Sequence, residues 1–261
     1  MFSLKDLVAL LEEYAPLALS EEAISLGGYD NSGIIVESHD KVEKVLFSLD
    51  LSDLAVKEAV ECGADTLITH HPAIYYPIKS LSINDQTSAL LNGIKNGFNV
   101  ISMHLNLDMA KFGVDYWLAE GLGANKSIVL QPYSQTDCGY GREFEIDCRA
   151  EDFVKKAKES FGSDKIVFYG EGQINKVASF CGGGSEYALK SVKDKITSAD
   201  TIVTSDVPHH VLKELIESGK KVLIIPHYVS EQYGFNKFYV WFTQKTQGKL
   251  STYYFRDKRF M

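Results

Sequence analysis

Histidines and carboxylates with the character of metal ligands follow several apolar runs in this sequence. They are His70, His71, His104, Asp108, His227 and Glu231. Each of the two carboxylates follows a histidine by four residues, a spacing that places both side chains on one face of a helical turn. Imidazole favours Zn, Fe, Ni or Cu, and carboxylates add Mn, whereas Mg and Ca prefer more oxygen ligands. The residue types therefore indicate a site for divalent transition metals.

The number of candidate ligands bears on how many ions the site would hold. A structural zinc ion takes four ligands, whereas five or more side chains suit two ions about 3.5–4 Å apart that share a bridging carboxylate. A single histidine at a strand end is more often a hydrogen-bonded structural residue, so the hypothesis depends on the combination. We expect two divalent ions per chain, drawn from Zn, Fe, Mn and Ni.

The candidate ligands depend on alternating strands and helices to bring them together. Apolar runs predict strands over 42–50, 65–71, 99–104, 143–148, 165–170, 176–181, 201–206, 221–227, 238–242 and 251–255. Amphipathic segments predict helices over 1–16, 51–63, 85–97, 115–123, 151–161, 186–196 and 209–219. This alternation predicts an α/β fold with mostly parallel or mixed sheets. In parallel sheets of this class, ligands bind at the carboxyl ends of the strands.

An internal repeat relates two parts of the chain that carry histidines. Residues 50–71 align without a gap onto residues 206–227, at a constant offset of 156, and eight of the 22 pairs are identical. Average residue usage gives about one or two identities by chance. Shared helix formers and a helix-ending glycine explain some of the identities, but not His71 and His227 at the same terminal position. We interpret the chain as two related α/β halves with the metal site in the cleft between them.

The predicted halves differ in the ligands that they contribute. The first, 1–124, carries the adjacent histidines and the H-x3-D pair, and the second, 125–261, carries the H-x3-E pair. The second half begins with a small middle segment, about 125–175, that has the pattern of a strand, a helix and a strand. Any domain inserted at this point is therefore small.

Composition and charge argue against several classes of function. The chain has 261 residues, of which 45% are hydrophobic and 24% charged, and a net charge of −8. This balance is ordinary for a globular protein and argues against a nucleic-acid partner. The four cysteines show no CxxC spacing and predict reduced thiols. Because no apolar run approaches the ~18 residues that a membrane span needs, and the acidic N-terminal segment is unlike a signal peptide, we expect a cytoplasmic protein.

Six short segments resemble motifs of the Nif-three or YbgI-like family, in the order in which that family carries them. They are YDNSGI (29–34), ECGADTLITHHP (61–72), HLNLDMAKFGVDYWLAEGLG (104–123), FCGGGS (180–185), TSDVPHH (204–210) and PHYVSE (226–231). Three positions, Tyr29, Ser205 and Pro226, depart from the family's usual tryptophan and glycines. These departures leave the candidate ligands in place.

The resemblance implies a ligand set, an assembly and an activity. Carried over position by position, the family's dinuclear metal ligands fall on His70, His71, Asp108, His227 and Glu231. His104 then lies beside them. Members of the family form ring-shaped hexamers, built as trimers of dimers with metal sites facing an interior cavity, and some carry the name GTP cyclohydrolase 1 type 2.

Two hypotheses of function follow. Two divalent ions lower the pKa of bound water towards ~7 and supply a nucleophile at neutral pH, which favours a metal-dependent hydrolase of a phosphorylated or nucleotide-like small molecule. The ions carry more positive charge than two carboxylates remove, so the pocket would attract a small anionic substrate, with His104 as the candidate for proton transfer. The alternative is a protein without turnover, either a metal chaperone or sensor or a scaffold that binds partners.

Two further segments each allow two interpretations. The amides of the loop Gly182–Ser185 could cradle an anion, or the loop could be a tight connection near the metal, and we favour the connection. Asp30 and Asn31 either line the cleft or form a turn before a strand.

Overall fold

Each copy of the internal repeat folds as a helix and a strand, and the strand just before it completes a strand–helix–parallel strand unit, in this computed structural model, which describes residues 2–135 and 137–261. In the first copy the helix begins after Ser52, whose hydroxyl accepts a hydrogen bond from the amide of Ala55. It ends at Gly63, which has the left-handed backbone (φ 67°) that glycine adopts without strain. The repeat in the sequence is therefore a repeated βαβ unit.

Each predicted helix has a counterpart among the described elements, and so does each predicted strand except 238–242. The strands are β1 (Phe2–Ser3), β2 (Gly33–Val36), β3 (Lys41–Val42), β4 (Lys44–Ser48), β5 (Thr66–Thr69), β6 (Asn99–Ser102), β7 (Ile128–Pro132), β8 (Gly139–Arg149), β9 (Val167–Tyr169), β10 (Gln173–Ser179), β11 (Thr201–Thr204), β12 (Lys221–Ile224) and β13 (Ser251–Phe255). The helices are α1 (Leu4–Tyr14), α2 (Ala18–Ser25), α3 (Asp53–Cys62), α4 (Ser88–Lys95), α5 (Leu105–Met109), α6 (Val114–Gly121), α7 (Ala150–Phe161), α8 (Ser185–Lys193), α9 (His209–Glu217) and α10 (His227–Lys245), with a 3-10 helix at Lys258–Phe260. Among the described residues, no helix combines the length and apolar character that crossing a membrane requires.

The chain divides into two units. The first runs to Leu107 and takes up Lys237–Lys258, and the second consists of Asp108–Asn236 and Arg259–Met261. The halves proposed from the sequence, 1–124 and 125–261, place the boundary later in the chain and do not return the C-terminal segment to the first unit.

The first unit contains a five-stranded sheet in the order β13-β4-β5-β6-β2. Its strands pair in parallel except for β2, which runs antiparallel to β6 at the edge. Leu46 and Leu67, on neighbouring strands, are fully buried in one apolar cluster with Val56 of α3 and Phe98. Helices cover such parallel sheets, which explains why β4 and β5 are continuous apolar runs.

The second unit contains a six-stranded sheet in the order β7-β8-β10-β11-β12-β9. The central strands β10, β11 and β12 are parallel, and the flanking pairs are antiparallel. The predicted α/β fold with mostly parallel or mixed sheets is therefore confirmed. The parallel pairs β4–β5 and β11–β12 are the strands of the two βαβ units that contain the repeat copies.

The predicted strand over 238–242 is wrong, because these residues belong to the helix α10. Aromatic and β-branched residues favour strands, which explains the error in the segment FYVWF. Phe238 and Phe242 lie four residues apart on one helix face, and both are fully buried. Their rings lie 5.8 and 5.0 Å from that of Phe47, so the helical spacing provides the core contacts.

Candidate metal centre

The end of β5 places His70 and His71 side by side. The amides of both histidines donate hydrogen bonds to one carbonyl, that of Leu49, at 3.1 and 3.0 Å. In a continuing strand the two side chains would point to opposite faces of the sheet. Sharing one acceptor interrupts that strand geometry. The two imidazole centroids consequently lie 5.1 Å apart.

His104, which follows β6, joins this pair within the first unit. Its ring centroid lies 5.3 Å from that of His70 and 5.9 Å from that of His71. One ring nitrogen from each of the three histidines lies within 4.8 Å of the others, close enough for the group to hold a metal ion. The structure thus brings together three predicted site residues, and His104 is a full member of the cluster.

Each of these imidazoles has its Nδ1 atom on an oxygen acceptor. The acceptors are Asp50 for His71 at 2.6 Å, Asp30 for His104 at 2.7 Å, and the carbonyl of Met103 for His70 at 2.7 Å. Ionised carboxylates and carbonyls only accept, so Nδ1 carries the hydrogen and the lone pair of a neutral ring lies on Nε2. A metal-binding histidine is commonly oriented in this way by an acceptor on its other nitrogen.

Asp30 is a buried carboxylate that accepts hydrogen bonds from three side chains. It accepts hydrogen bonds from the hydroxyls of Ser20 at 2.5 Å and Ser32 at 2.6 Å, in addition to His104. Burial raises the pKa of Asp30, but the hydrogen bond and charge of His104 and the two serine hydroxyls outweigh it and lower the pKa to about 2. Asp30 is therefore ionised at neutral pH and holds His104 in one orientation.

The second unit holds His227 between two carboxylates. Its Nδ1 lies 2.5 Å from Asp206, and its Nε2 lies 3.0 Å from Glu231, four residues along α10. Asp206 has a positive φ of 47°, a conformation that aspartate tolerates better than most residues. Burial lowers the pKa of His227, but the charge and hydrogen bond of Glu231, with those of Asp206, raise it to about 10.

The pair Asp206–His227 repeats the pair Asp50–His71 in both sequence and geometry. In the sequence, Asp50 and Asp206 are one of the eight identical pairs of the repeat, and no role is predicted for them, while Asp30 is predicted to lie in a turn or in the cleft. The available signal was the shared spacing of 21 residues from aspartate to histidine in the two copies. The repeated unit therefore delivers a histidine together with the carboxylate that orients it.

Asp108 and Glu231 are both buried within the second unit, at 4% and 1% exposure. Burial, followed by the charges of Asp108, Asp115 and Glu231, raises the pKa of the Cys181 thiol well above its usual range. The amide of Cys181 also donates a hydrogen bond to Asp115 at 3.1 Å. Burial also raises the pKa of Asp115 to about 7, against the lowering effect of Arg142. A concentration of buried acidic groups is costly unless a cation compensates it.

The glycine loop approaches these ligands closely. Gly182 has a positive φ of 57°, and a Cβ at this position would lie 2.3 Å from Oε1 of Glu231 and 3.3 Å from Nε2 of His227. Its neighbour Gly183 has open space around the equivalent position. The loop is therefore a tight connection against candidate ligands, as the favoured interpretation expects.

The donor chemistry of both units fits divalent transition metals. The first unit presents three imidazoles with oriented Nδ1 atoms. The second presents an imidazole and a carboxylate in contact, with a further buried carboxylate in the same unit. Nitrogen and carboxylate donors in this proportion suit Zn, Fe, Mn or Ni. The described residues thus include groups that could hold metal ions.

Comparisons with known proteins agree with the motifs. The family described as Duf34/NIF3 (NGG1p interacting factor 3) matches residues 2–258. A GTP cyclohydrolase 1 type 2 homolog from Clostridium perfringens is 30% identical over 235 residues, which cover 87% of this chain and 86% of the relative. NGG1-interacting factor 3 of Saccharomyces cerevisiae is 28% identical over 257 residues, covering 88% of this chain and 86% of the relative.

A solved structure shows the same fold. The hypothetical protein SA1388 from Staphylococcus aureus superimposes with a TM-score of 0.85, at 24% identity, over 98% of this chain and 97% of that one. The match of the family to nearly the whole chain confirms the resemblance inferred from the six motifs. This chain belongs to the Duf34/NIF3 family.

Proposed function

We propose that this protein binds two divalent transition metal ions per chain and hydrolyses a phosphorylated or nucleotide-like small molecule. The proposed ligands are His70, His71, Asp108, His227 and Glu231. The observation that carries the proposal is the repeated Asp–His pair, in which Asp50 and Asp206 each hold the Nδ1 of a histidine. Acceptors of this kind are the usual support of metal-binding histidines.

The residues of the proposed site have separate roles in hydrolysis. Two ions would supply a water nucleophile at neutral pH and an electrophile for the developing negative charge. His104 is the group that moves a proton, since ionised Asp30 fixes its Nδ1–H and directs Nε2 away from that carboxylate. Asp50 and Asp206 keep His71 and His227 in the orientation that ligation needs.

Charge and relatedness support an anionic substrate. Two divalent ions carry four positive charges, and the proposed ligands Asp108 and Glu231 remove two of them, so the ions with their ligands would carry a net positive charge although the chain carries a net charge of −8. The Clostridium perfringens relative is named a GTP cyclohydrolase 1 type 2 homolog, which favours a nucleotide-like molecule among small anions.

A second candidate function is favoured by one relative. The Saccharomyces cerevisiae protein is named NGG1-interacting factor 3, and this name suits a scaffold that binds a partner protein. A scaffold, or a metal chaperone or sensor, would hold metal without turning over any substrate. We further propose, from the family resemblance, that the chain assembles into a hexameric ring, which sedimentation of the purified protein would test.

Metal analysis with a substrate screen separates these functions. The purified protein is loaded with Zn, Fe, Mn or Ni, its metal content is measured, and phosphoesters and nucleotides are screened for turnover. We expect about two metals per chain, and loss of turnover in Asp108→Ala and Glu231→Ala with unchanged circular dichroism. Glu217→Gln, an exposed carboxylate on α9, is the control.

The possible results distinguish the hydrolase from the chaperone or scaffold. Fewer than one metal per chain at saturation contradicts the dinuclear site. Two metals without turnover on any substrate favour the chaperone or scaffold. Turnover that survives both alanine substitutions contradicts the hydrolase mechanism.

A further inference from the structure

Three tyrosines form a cluster beside the histidines of the first unit. The ring of Tyr29 lies 5.1 Å from that of Tyr75 and 4.9 Å from that of Tyr76, and the latter two lie 4.7 Å apart. Tyr75 also meets the imidazole of His104 edge-on, at 5.9 Å and 90°. Aromatic contacts therefore run without interruption from the tyrosines to the histidine cluster.

The outer members of this cluster are exposed. Tyr76 is 65% exposed and Tyr29 is 43% exposed, although both rings are large and partly apolar. Single exposed apolar side chains are ordinary, but contiguous ones commonly mark a binding surface. The centroids of Tyr29 and Tyr76 lie 4.9 Å apart and their planes are inclined by only 33°, so the two rings overlap partly face to face and the more exposed ring of Tyr76 can continue the stack.

Hydrogen bonds hold the cluster in place although its segment has no regular structure. Tyr75 and Tyr76 lie between β5 and α4, where the described residues form neither helix nor strand. The Asn31 amide donates to the carbonyl of Ile74 at 2.6 Å, and the Tyr75 hydroxyl donates to the carbonyl of Tyr29 at 3.1 Å. A surface ordered before binding loses less entropy when a ligand arrives.

We propose that Tyr29 and Tyr76, supported by Tyr75, stack against the planar heteroaromatic ring of the substrate. Stacking is tolerant of ring identity because every base presents a π face. The ring would lie on the tyrosines, and the anionic part of the same molecule would lie towards His104. This inference rests on the proposed function, because it specifies the substrate class of the proposed metal site as ring-bearing anions.

A second copy of the chain is the main competing occupant of this surface. Ile78, Leu81 and Ile83 of the same segment are also exposed, and an interface between copies would use them together with the tyrosines. We favour the ring because the tyrosines adjoin His104 through Tyr75, and because hydrogen bonds fix their segment against Tyr29 and Asn31.

A matched pair of probes tests the stacking site. Binding of the four nucleoside monophosphates and of ribose 5-phosphate, which lacks only the base, is measured calorimetrically on the metal-loaded and the chelator-treated protein. We expect the nucleotides to bind about tenfold more tightly than ribose 5-phosphate. Tyr29→Leu and Tyr76→Leu should remove most of this difference, and Tyr29→Phe and Tyr76→Phe should keep it within about twofold. Tyr169→Leu, an exposed tyrosine of β9 in the second unit, is the control.

The outcomes separate this inference from the proposed function. Nucleotides that bind no better than ribose 5-phosphate, or leucine variants that keep the difference, overturn the stacking site while leaving metal binding intact. If the leucine variants change the sedimentation of the protein but keep its preference for nucleotides over ribose 5-phosphate, the surface is an interface between copies. This outcome also overturns the stacking site. A protein that binds no metal but still prefers nucleotides contradicts the metal-dependent hydrolase and supports the stacking site. Because Tyr76 is the most exposed of the three, Tyr76→Leu is the variant least able to disturb folding.

Discussion

Nδ1 of His227 lies 2.5 Å from a carboxylate oxygen of Asp206, and this pair repeats the pair of His71 and Asp50 at 2.6 Å. In both copies the aspartate follows the first strand of a βαβ unit and the histidine follows the second. Parallel strands bring their carboxyl ends to one edge of a sheet, so an aspartate and a histidine 21 residues apart in the chain lie within hydrogen-bond distance. The repeated element is thus a histidine together with its orienting carboxylate.

The first prediction concerns these carboxylates. Asp50→Asn and Asp206→Asn should each lower zinc affinity about 10–100-fold, because loss of the acceptor charge releases the orientation of His71 or His227. A competition titration against a chromophoric chelator measures the affinity. Glu61→Gln and Glu217→Gln are matched controls, since these repeat partners are exposed and pair with lysines on their own helices. Equal effects of all four substitutions would contradict the proposed role.

The second prediction concerns the glycine loop. Gly182→Ala should destabilise the fold by about 1–2 kcal/mol, because its left-handed backbone disfavours a Cβ, and should weaken metal binding by displacing Glu231. Thermal unfolding and the chelator titration measure the two effects. Gly183→Ala should change neither, since its Cβ would meet open space. If the two variants behave alike, the close approach of Gly182 has no functional consequence.

The third prediction concerns acid stability. Because the pKa of Asp30 is lowered to about 2 from its ordinary value of 3.8, its contribution to stability is complete above pH ~4 and is lost as the pH falls towards 2. The shift corresponds to about 2 kcal/mol at most. Urea unfolding of wild type and Asp30→Asn between pH 5 and 2.5 measures it, with wild type losing more stability than the variant. Parallel losses in both proteins would contradict the assignment.

The fourth prediction concerns proton release. The pKa of His227 is raised to about 10 in the metal-free chain, so a metal ion at its Nε2 must displace a proton at pH 8. Zinc titrations in buffers of different ionisation enthalpy should show that zinc binding releases about one proton fewer from His227→Gln than from wild type. His210→Gln, an exposed histidine on α9, should release as many protons as wild type. An unchanged count in His227→Gln contradicts ligation through this nitrogen.

The same raised pKa has a consequence for the metal-free fold. A group whose pKa rises on folding stabilises the protein fully below its ordinary value, here 6.5, and loses that contribution as the pH rises through about 10. Chelator-treated protein should therefore unfold more readily at pH 10 than at pH 7. Glu231→Gln should flatten this dependence, because the charge of Glu231 is the largest cause that raises the pKa.

Local physical signals explain what could be predicted from the sequence. The βαβ copies were predictable because buried parallel strands are continuous apolar runs, and because Ser52 and Gly63 are an N-cap and a C-cap read from a few neighbouring residues. The side chains with metal-ligand chemistry were also predictable, since their types and spacing do not depend on the rest of the fold. The segment 238–242 was predicted wrongly because its aromatic content favours a strand, whereas burial against Phe47 selects a helix.

The sequence by itself determined the repeated βαβ units and the identities of the candidate metal ligands, because strand periodicity, helix caps and donor chemistry are local properties. Only the tertiary structure decided which groups support them. Asp30 lies 74 residues from His104, and Tyr29 lies 46 residues from Tyr75, yet both pairs are hydrogen-bonded. Contacts between such distant residues depend on how strands order themselves in a sheet, and no local pattern encodes that order.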